Sequence, residues 1–124
     1  MGAHRDITVK QLWSAATVAA GTTLTSASID LGGLAQSGFF SVHYTITGAG
    51  TVAMSCKLSN DGTNFVDSTD GYKIKTGQTV TSGHAADGKD LVSFAPSPAA
   101  RVKVCVFETG GVSAAVVTVW LAMQ

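Results

Sequence analysis

Phe40-Ser41-Val42-His43-Tyr44-Thr45-Ile46-Thr47 alternates apolar and polar side chains along its whole length. Phe40, Val42, Tyr44 and Ile46 fall on one side of a pleated chain and Ser41, His43, Thr45 and Thr47 on the other, a strict period of two. One side is made for a core and the other for solvent, which defines a strand of an antiparallel sheet. Beyond Gly48-Ala49-Gly50, the residues Val52, Met54, Cys56 and Leu58 repeat the pattern against Thr51, Ala53, Ser55 and Lys57. The two glycines supply backbone freedom for a reversal, so the spacing predicts that the two strands form a hairpin. Cys56 then lies on the apolar side, where a thiol packs as a small hydrophobe.

Working outward, Ser59-Asn60-Asp61-Gly62-Thr63-Asn64 is a run of turn formers that ends the second strand. Residues 67–90 are rich in Asp, Gly, Ser and Thr, with short alternating pieces at Tyr72–Lys75 and Gln78–Thr81. They are expected to form a long excursion, the natural place for a contact surface. Leu91–Phe94, Ala100–Thr109 and Ala115–Met123 read as strands. Pro96 and Pro98 lack the N–H that a ladder needs, so 95–99 is a connection. Within 100–109, Val102, Val104 and Val106 share the core phase, with Arg101, Lys103, Cys105 and Phe107 opposite, and Gly110-Gly111 turns the chain. Toward the start, Ile7–Trp13 and Thr22–Leu31 read as further strands. The expectation is an all-β domain over 7–124, an antiparallel β-sandwich or jelly roll of about seven to nine short strands, preceded by a flexible arm over 1–6.

Composition narrows the function. The 124 residues fit one domain, and eight basic side chains balance eight acidic ones. Charged residues make up only 13%, about half of the usual ~25%, which excludes a basic nucleic-acid binder. The 45% hydrophobic content excludes a disordered chain. No run approaches the ~18 apolar residues of a membrane helix, and the first residues lack the apolar stretch of a secretory signal, so a soluble chain is expected. Cys56 and Cys105 are too few for a stapled miniprotein or a four-cysteine zinc site, and reduced thiols are expected.

Catalysis needs convergent ionisable groups. His4, His43 and His84 are far apart, and His43 sits on the solvent side of its strand. Cys105 shares a phase with Arg101 and Lys103, surroundings that favour a thiolate, but no Cys–His arrangement accompanies it. Asp61, Asp67, Asp70, Asp87 and Asp90 with Asn60 and Asn64 could ligate calcium, yet Asn60-Asp61-Gly62 lacks the alternating acidic spacing and closing Glu of a calcium loop, and ordinary turn chemistry accounts for it. No catalytic set, cofactor or metal site is expected. Trp13, Tyr44, Tyr72 and Trp120 could stack on a sugar, but Tyr44 is in the core phase and Trp120 lies in the most apolar strand.

That last strand has apolar residues in both phases: Val117, Val119, Leu121 and Met123 against Val116, Thr118, Trp120 and Ala122. Its outer side must be covered within the fold or by another subunit. The runs Ser59–Asp67, Ala99–Val104 and Ala115–Gln124 resemble small virion proteins of tailed bacteriophages, of the capsid decoration or cement type. The resemblance implies a β-rich, cofactor-free protein on the capsid surface of the virion, made in the host bacterial cytoplasm. Its implied partners are the major capsid protein and its own copies, as a homodimer or homotrimer, with no nucleic acid and no membrane. Trp13, Phe107, Val116, Thr118, Trp120 and Met123 are the candidate interface residues. The alternative is a carbohydrate- or host-surface-binding module of a tail fibre or spike.

Overall fold

In the computed structural model, which describes residues 7–31, 39–67, 73–96 and 99–124, the alternation of the sequence becomes two antiparallel sheets. The strands are β1 (Thr8–Val18), β2 (Thr23–Thr25), β3 (Ile29–Asp30), β4 (Phe40–Gly48), β5 (Val52–Ser59), β6 (Val66–Asp67), β7 (Lys73–Gln78), β8 (Lys89–Phe94), β9 (Arg101–Glu108) and β10 (Ala115–Met123). A four-stranded sheet has the order β1-β10-β4-β8. In the six-stranded sheet β9 and β5 are central, β2 and β3 flank β9, and β6 and β7 flank β5. The fold is an all-β sandwich, as the period of two dictates.

The core forms where the inward phases of the two sheets meet. Val42, Tyr44, Ile46, Val117, Val119 and Leu121 from the four-stranded sheet pack with Val52, Met54, Cys56, Val102, Val104 and Val106 from the other. All twelve are essentially removed from solvent. Tyr44 keeps its hydroxyl satisfied inside this core by donating to the side-chain oxygen of the buried Gln78.

The expected hairpin is not there. β4 pairs with β10 and β8, whereas β5 pairs with β9, so residues 49–51 carry the chain from one sheet to the other. A hairpin and such an arch each bury one phase of both strands, and alternation alone does not separate them. What decides is packing at the linker: a Cβ at Gly50 would lie 2.8 Å from the Ser113 carbonyl oxygen, so the arch runs directly against the β9–β10 connection.

Three crossings between the sheets, β1–β2, β4–β5 and β9–β10, are tied together by one side chain, Glu108. Its carboxylate accepts N–H bonds from Gly21 (3.0 Å), Thr51 (2.9 Å), Gly110 (2.8 Å) and Gly111 (2.7 Å). One carboxylate thus satisfies four backbone donors that the crossings would otherwise leave unpaired.

Two further segments depart from expectation. Thr22–Leu31 divides into β2 and β3 because Ser26 enters the ladder: its N–H donates to Val104 (2.8 Å), and its hydroxyl, not its carbonyl, accepts the Val104 N–H (2.9 Å). The alternating piece at 78–81 is only the end of β7. The Thr79 N–H bonds the Ser82 hydroxyl (2.9 Å) and the Ser82 N–H returns to the Thr79 carbonyl (3.1 Å), a closed turn. The 1–6 arm, Tyr72, Asp70 and Pro98 lie outside the described residues.

Candidate interaction surface

The outward phase of the four-stranded sheet is set by register. Gln11, Trp120, His43 and Leu91 form one row across all four strands, and Val9, Ala122, Ser41 and Ser93 form the next. On the other side of the first row lie Thr118, Thr45 and Lys89, then Thr17, Val116 and Thr47. Among the described residues Lys89, at one corner, is the one formally charged side chain in this phase. The Trp120 indole stacks on the His43 ring with centroids 4.9 Å apart and planes 27° apart. The Ala15 N–H bonds the Thr118 hydroxyl (2.9 Å) at the irregular middle of β1.

Apolar exposure concentrates at one end of this sheet. Ile7 (61%), Val9 (58%), Phe39 (59%) and Leu91 (59%) are the exposed large apolar side chains there. Ile7, Phe39, Leu91, Ser93 and Ala122 border an open depression of about 190 Å³ that is continuous with the second row. Scattered single apolar residues are ordinary on a surface, but a contiguous group is what contact surfaces are made of.

The outer face of the six-stranded sheet is different. Lys57 and Lys103 stand directly opposite each other on β5 and β9, with Asp67 opposite Lys57 on the far side. The Lys103 ammonium lies 4.3 Å from the centre of the Phe65 ring. Arg101 reaches Asp30 at 4.0 Å, and the Asn60 side-chain oxygen accepts the Ala100 N–H at 3.0 Å. The turn at 59–65 and the start of β9 are therefore one packed unit, so two of the three runs that carry the phage resemblance meet in space.

Of the six candidate interface residues, Val116, Thr118 and Trp120 share the outer face of the four-stranded sheet. Phe107 projects from the opposite side of the sandwich, where it is 41% exposed. Trp13 packs against the core because the bulges in β1 rotate its phase inward. Met123 is buried in the core, in phase with Leu121 and opposite to Trp120, and does not belong to the outer face. Of the four rings considered for sugar stacking, the three that are described do not gather: Tyr44 is buried, Trp13 faces inward and Trp120 faces out.

The ionisable groups with altered acidity serve the scaffold. Glu108 is held down to about 2 by the N–H groups of Thr51, Gly21 and Gly111, with Gly110 adding to them against the cost of burial. Asp61 is held well below the usual carboxylate range by N–H bonds from Asn64 and Thr63 and side-chain bonds from Asn64 and Ser59. Donors surround its oxygens, so that carboxylate is engaged as a turn residue. Burial, with the Asp90 charge adding to it, pushes Tyr44 up to about 12. Burial likewise pushes the Cys56 thiol up to about 11. Cys105 is buried too, in the outward phase: its small side chain sits between Thr25 and Ser55 on the flanking strands, with the sulfur 3.8 Å from the Thr25 hydroxyl. Among the described residues no three His, Cys, Asp or Glu side chains group as metal ligands would.

Glu108 escaped the sequence reading although its signal was present. It continues the inward phase Val102, Val104, Val106, and a carboxylate in that phase has to find donors, which Gly110-Gly111 supplies.

No protein-family model matches the chain. None of the curated proteins matches it either. Among solved structures the chain is similar to one described as "Structure of infectious bursal disease virus Gx strain", at 12% identity and a TM-score of 0.49. The likeness covers 94% of this chain and 31% of the other, so this chain spans about a third of the length of the one it matches.

Proposed function

We propose that this chain is a non-enzymatic virion component, a decoration or cement protein that binds major capsid subunits and its own copies on a bacteriophage capsid. The observation that carries the reading is the outer face of the four-stranded sheet: three strands or more wide, with a stacked Trp120–His43 pair, and among the described residues charged only at Lys89. Such a face, nearly uncharged and with its exposed apolar side chains gathered at one end, is suited to contact with protein. The resemblance of residues 59–67, 99–104 and 115–124 to tailed-phage virion proteins supports the same reading. Lattice decoration also suits a chain of modest single contacts, since repetition over a symmetric shell multiplies weak affinities. The carbohydrate-binding alternative draws less support, because the described aromatic rings Trp13, Tyr44 and Trp120 do not converge.

The test is co-sedimentation of the purified chain with empty shells of the major capsid protein from the same virus, beside a glycan array. Saturable binding to shells with no glycan retained is the expected result. Glycan binding without shell binding would replace this reading with the tail-fibre alternative.

A further inference from the structure

We infer that the outer face of the four-stranded sheet pairs with the same face of a second copy of this chain, sandwich stacked on sandwich, with Trp120 and His43 near the two-fold axis. The inference deepens the reading above and rests on it for the role left to the opposite face, which then remains free for the shell.

Sheet proteins that self-associate do so through edges or through faces. On β8 the N–H groups of Lys89 and Leu91 are taken by the carboxylates of Asp87 (3.2 Å) and Asp90 (2.8 Å), so two donors of this edge are held by its own side chains. At the other edge β1 carries register shifts between Gln11 and Trp13 and between Trp13 and Ala16, and Ala15 takes a positive φ of 49°. A bulged, twisted edge is a poor template for a further strand. Both edges of this sheet are blunted, and the face is what remains.

The character of the face then selects the occupant. In a two-fold interface every side chain near the axis meets its own copy, so any central charge would face its like. Rows of Ser, Thr, Val, Trp and His, with Lys89 confined to a corner, satisfy that requirement. A partner of different sequence would impose no such restriction, because opposite charges could be matched across the contact.

The dimensions agree as well. Four strands about 4.8 Å apart, averaging about 30 Å in length, give a face of roughly 570 Å² per copy. Two such faces bury roughly 1,100 Å², which clears the lower bound of about 1,000 Å² for a specific contact. The stacked ring pair at its middle provides the large, flat aromatic surface that concentrates binding energy in interfaces.

The test is the concentration dependence of native mass by sedimentation velocity, on the full chain and on three variants. The native chain is expected to form dimers. Leu91→Asp, at an exposed position in the same row, should weaken dimerisation by roughly thirtyfold or more while the melting temperature of the monomer stays near native. Trp120→Ala should do the same. Lys103→Glu, on the opposite face, should leave the dimer intact. A chain that is monomeric at high micromolar concentration overturns the inference, as does a dimer that survives Leu91→Asp or is lost with Lys103→Glu. If Trp120→Ala fails to fold, Leu91→Asp alone decides. Shell binding is measured separately, so a monomer that still binds shells sinks the pairing and leaves the virion reading standing.

Discussion

The two outer faces of the sandwich are built from the same period of two and carry opposite chemistry. On the four-stranded sheet the outward residues of β10 and β4 are Val116, Thr118, Trp120 and Ala122 beside Ser41, His43, Thr45 and Thr47. On the six-stranded sheet the outward residues of β9 and β5 include Arg101 and Lys103 beside Lys57. The difference is not needed for folding, since both sheets bury equivalent rows of Val, Leu, Ile and Met inward. It is the difference that the proposed division between a pairing face and a shell-facing side requires. The six-stranded sheet also ends in Glu108, so it provides the charge that ties the crossings together as well as the charge on its own surface.

The largest expected effect comes from that carboxylate. Glu108→Gln keeps the shape but turns an NH2 toward N–H donors, and it should lower the melting temperature more than any single truncation on either outer face. The pH dependence follows from the sign of its shift. Because the folded form holds Glu108 down to about 2, below the usual ~4.3, its stabilisation is complete above the unfolded value. It is lost as pH falls from about 4.3 through about 2. Asp61, also depressed when folded, contributes in the same direction. Urea titrations at stepped pH should show the native chain losing stability across that window and Glu108→Gln losing visibly less; equal acid sensitivity in the two would mean that the crossings are held by something else.

A smaller effect separates inside from outside on one strand. Leu121 and Trp120 are neighbours on β10, one buried in the core and the other turned outward over His43. Leu121→Ala should cost about 2–5 kcal/mol, the cost of an apolar cavity in a close-packed interior. Trp120→Ala should cost the monomer about 1 kcal/mol, because its ring leaves no enclosed void. Denaturation of dilute protein compares them directly, and a Trp120→Ala loss as large as that of Leu121→Ala would mean that the indole is a core residue and the face is not an interface.

How much of this was legible in the sequence differs between elements for physical reasons. The inward rows of β4, β5, β9 and β10 were all readable, because burial of one phase writes itself into alternation. The partner of each strand was not, since an arch and a hairpin bury the same residues; the close approach of Gly50 to the Ser113 carbonyl that distinguishes them is a tertiary contact. Trp13, a candidate interface residue, packs against the core instead, because the bulges of β1 shift its phase without changing composition. Met123 was assigned to the interface although its own alternation placed it with Leu121, and there the pattern was the better guide. Part of the candidate face, Val116, Thr118 and Trp120, followed from a strand apolar on both sides. The outward phase of β4, His43 included, was readable in the same way; that it lies beside β10, with Leu91 and Val9 flanking the two strands, came only with the register.

The smallest expected effect tests the cationic face, and it is informative because it should be nearly silent in folding. Lys57 and Lys103 oppose each other across β5 and β9, an arrangement that costs a few tenths of a kcal/mol for like charges. Asp67 beside Lys57 and the Phe65 ring under the Lys103 ammonium return a similar amount. Lys103→Met removes one term of each sign, so stability should stay within about 0.5 kcal/mol of native, and the dimer should be unaffected. Shell binding should nonetheless weaken and lose part of its dependence on salt, because a cation facing the shell would have been removed. If binding to shells is the same with Met at this position, the cationic face is not the shell-facing side, and the division of labour between the two outsides of the sandwich fails even where the pairing of copies holds.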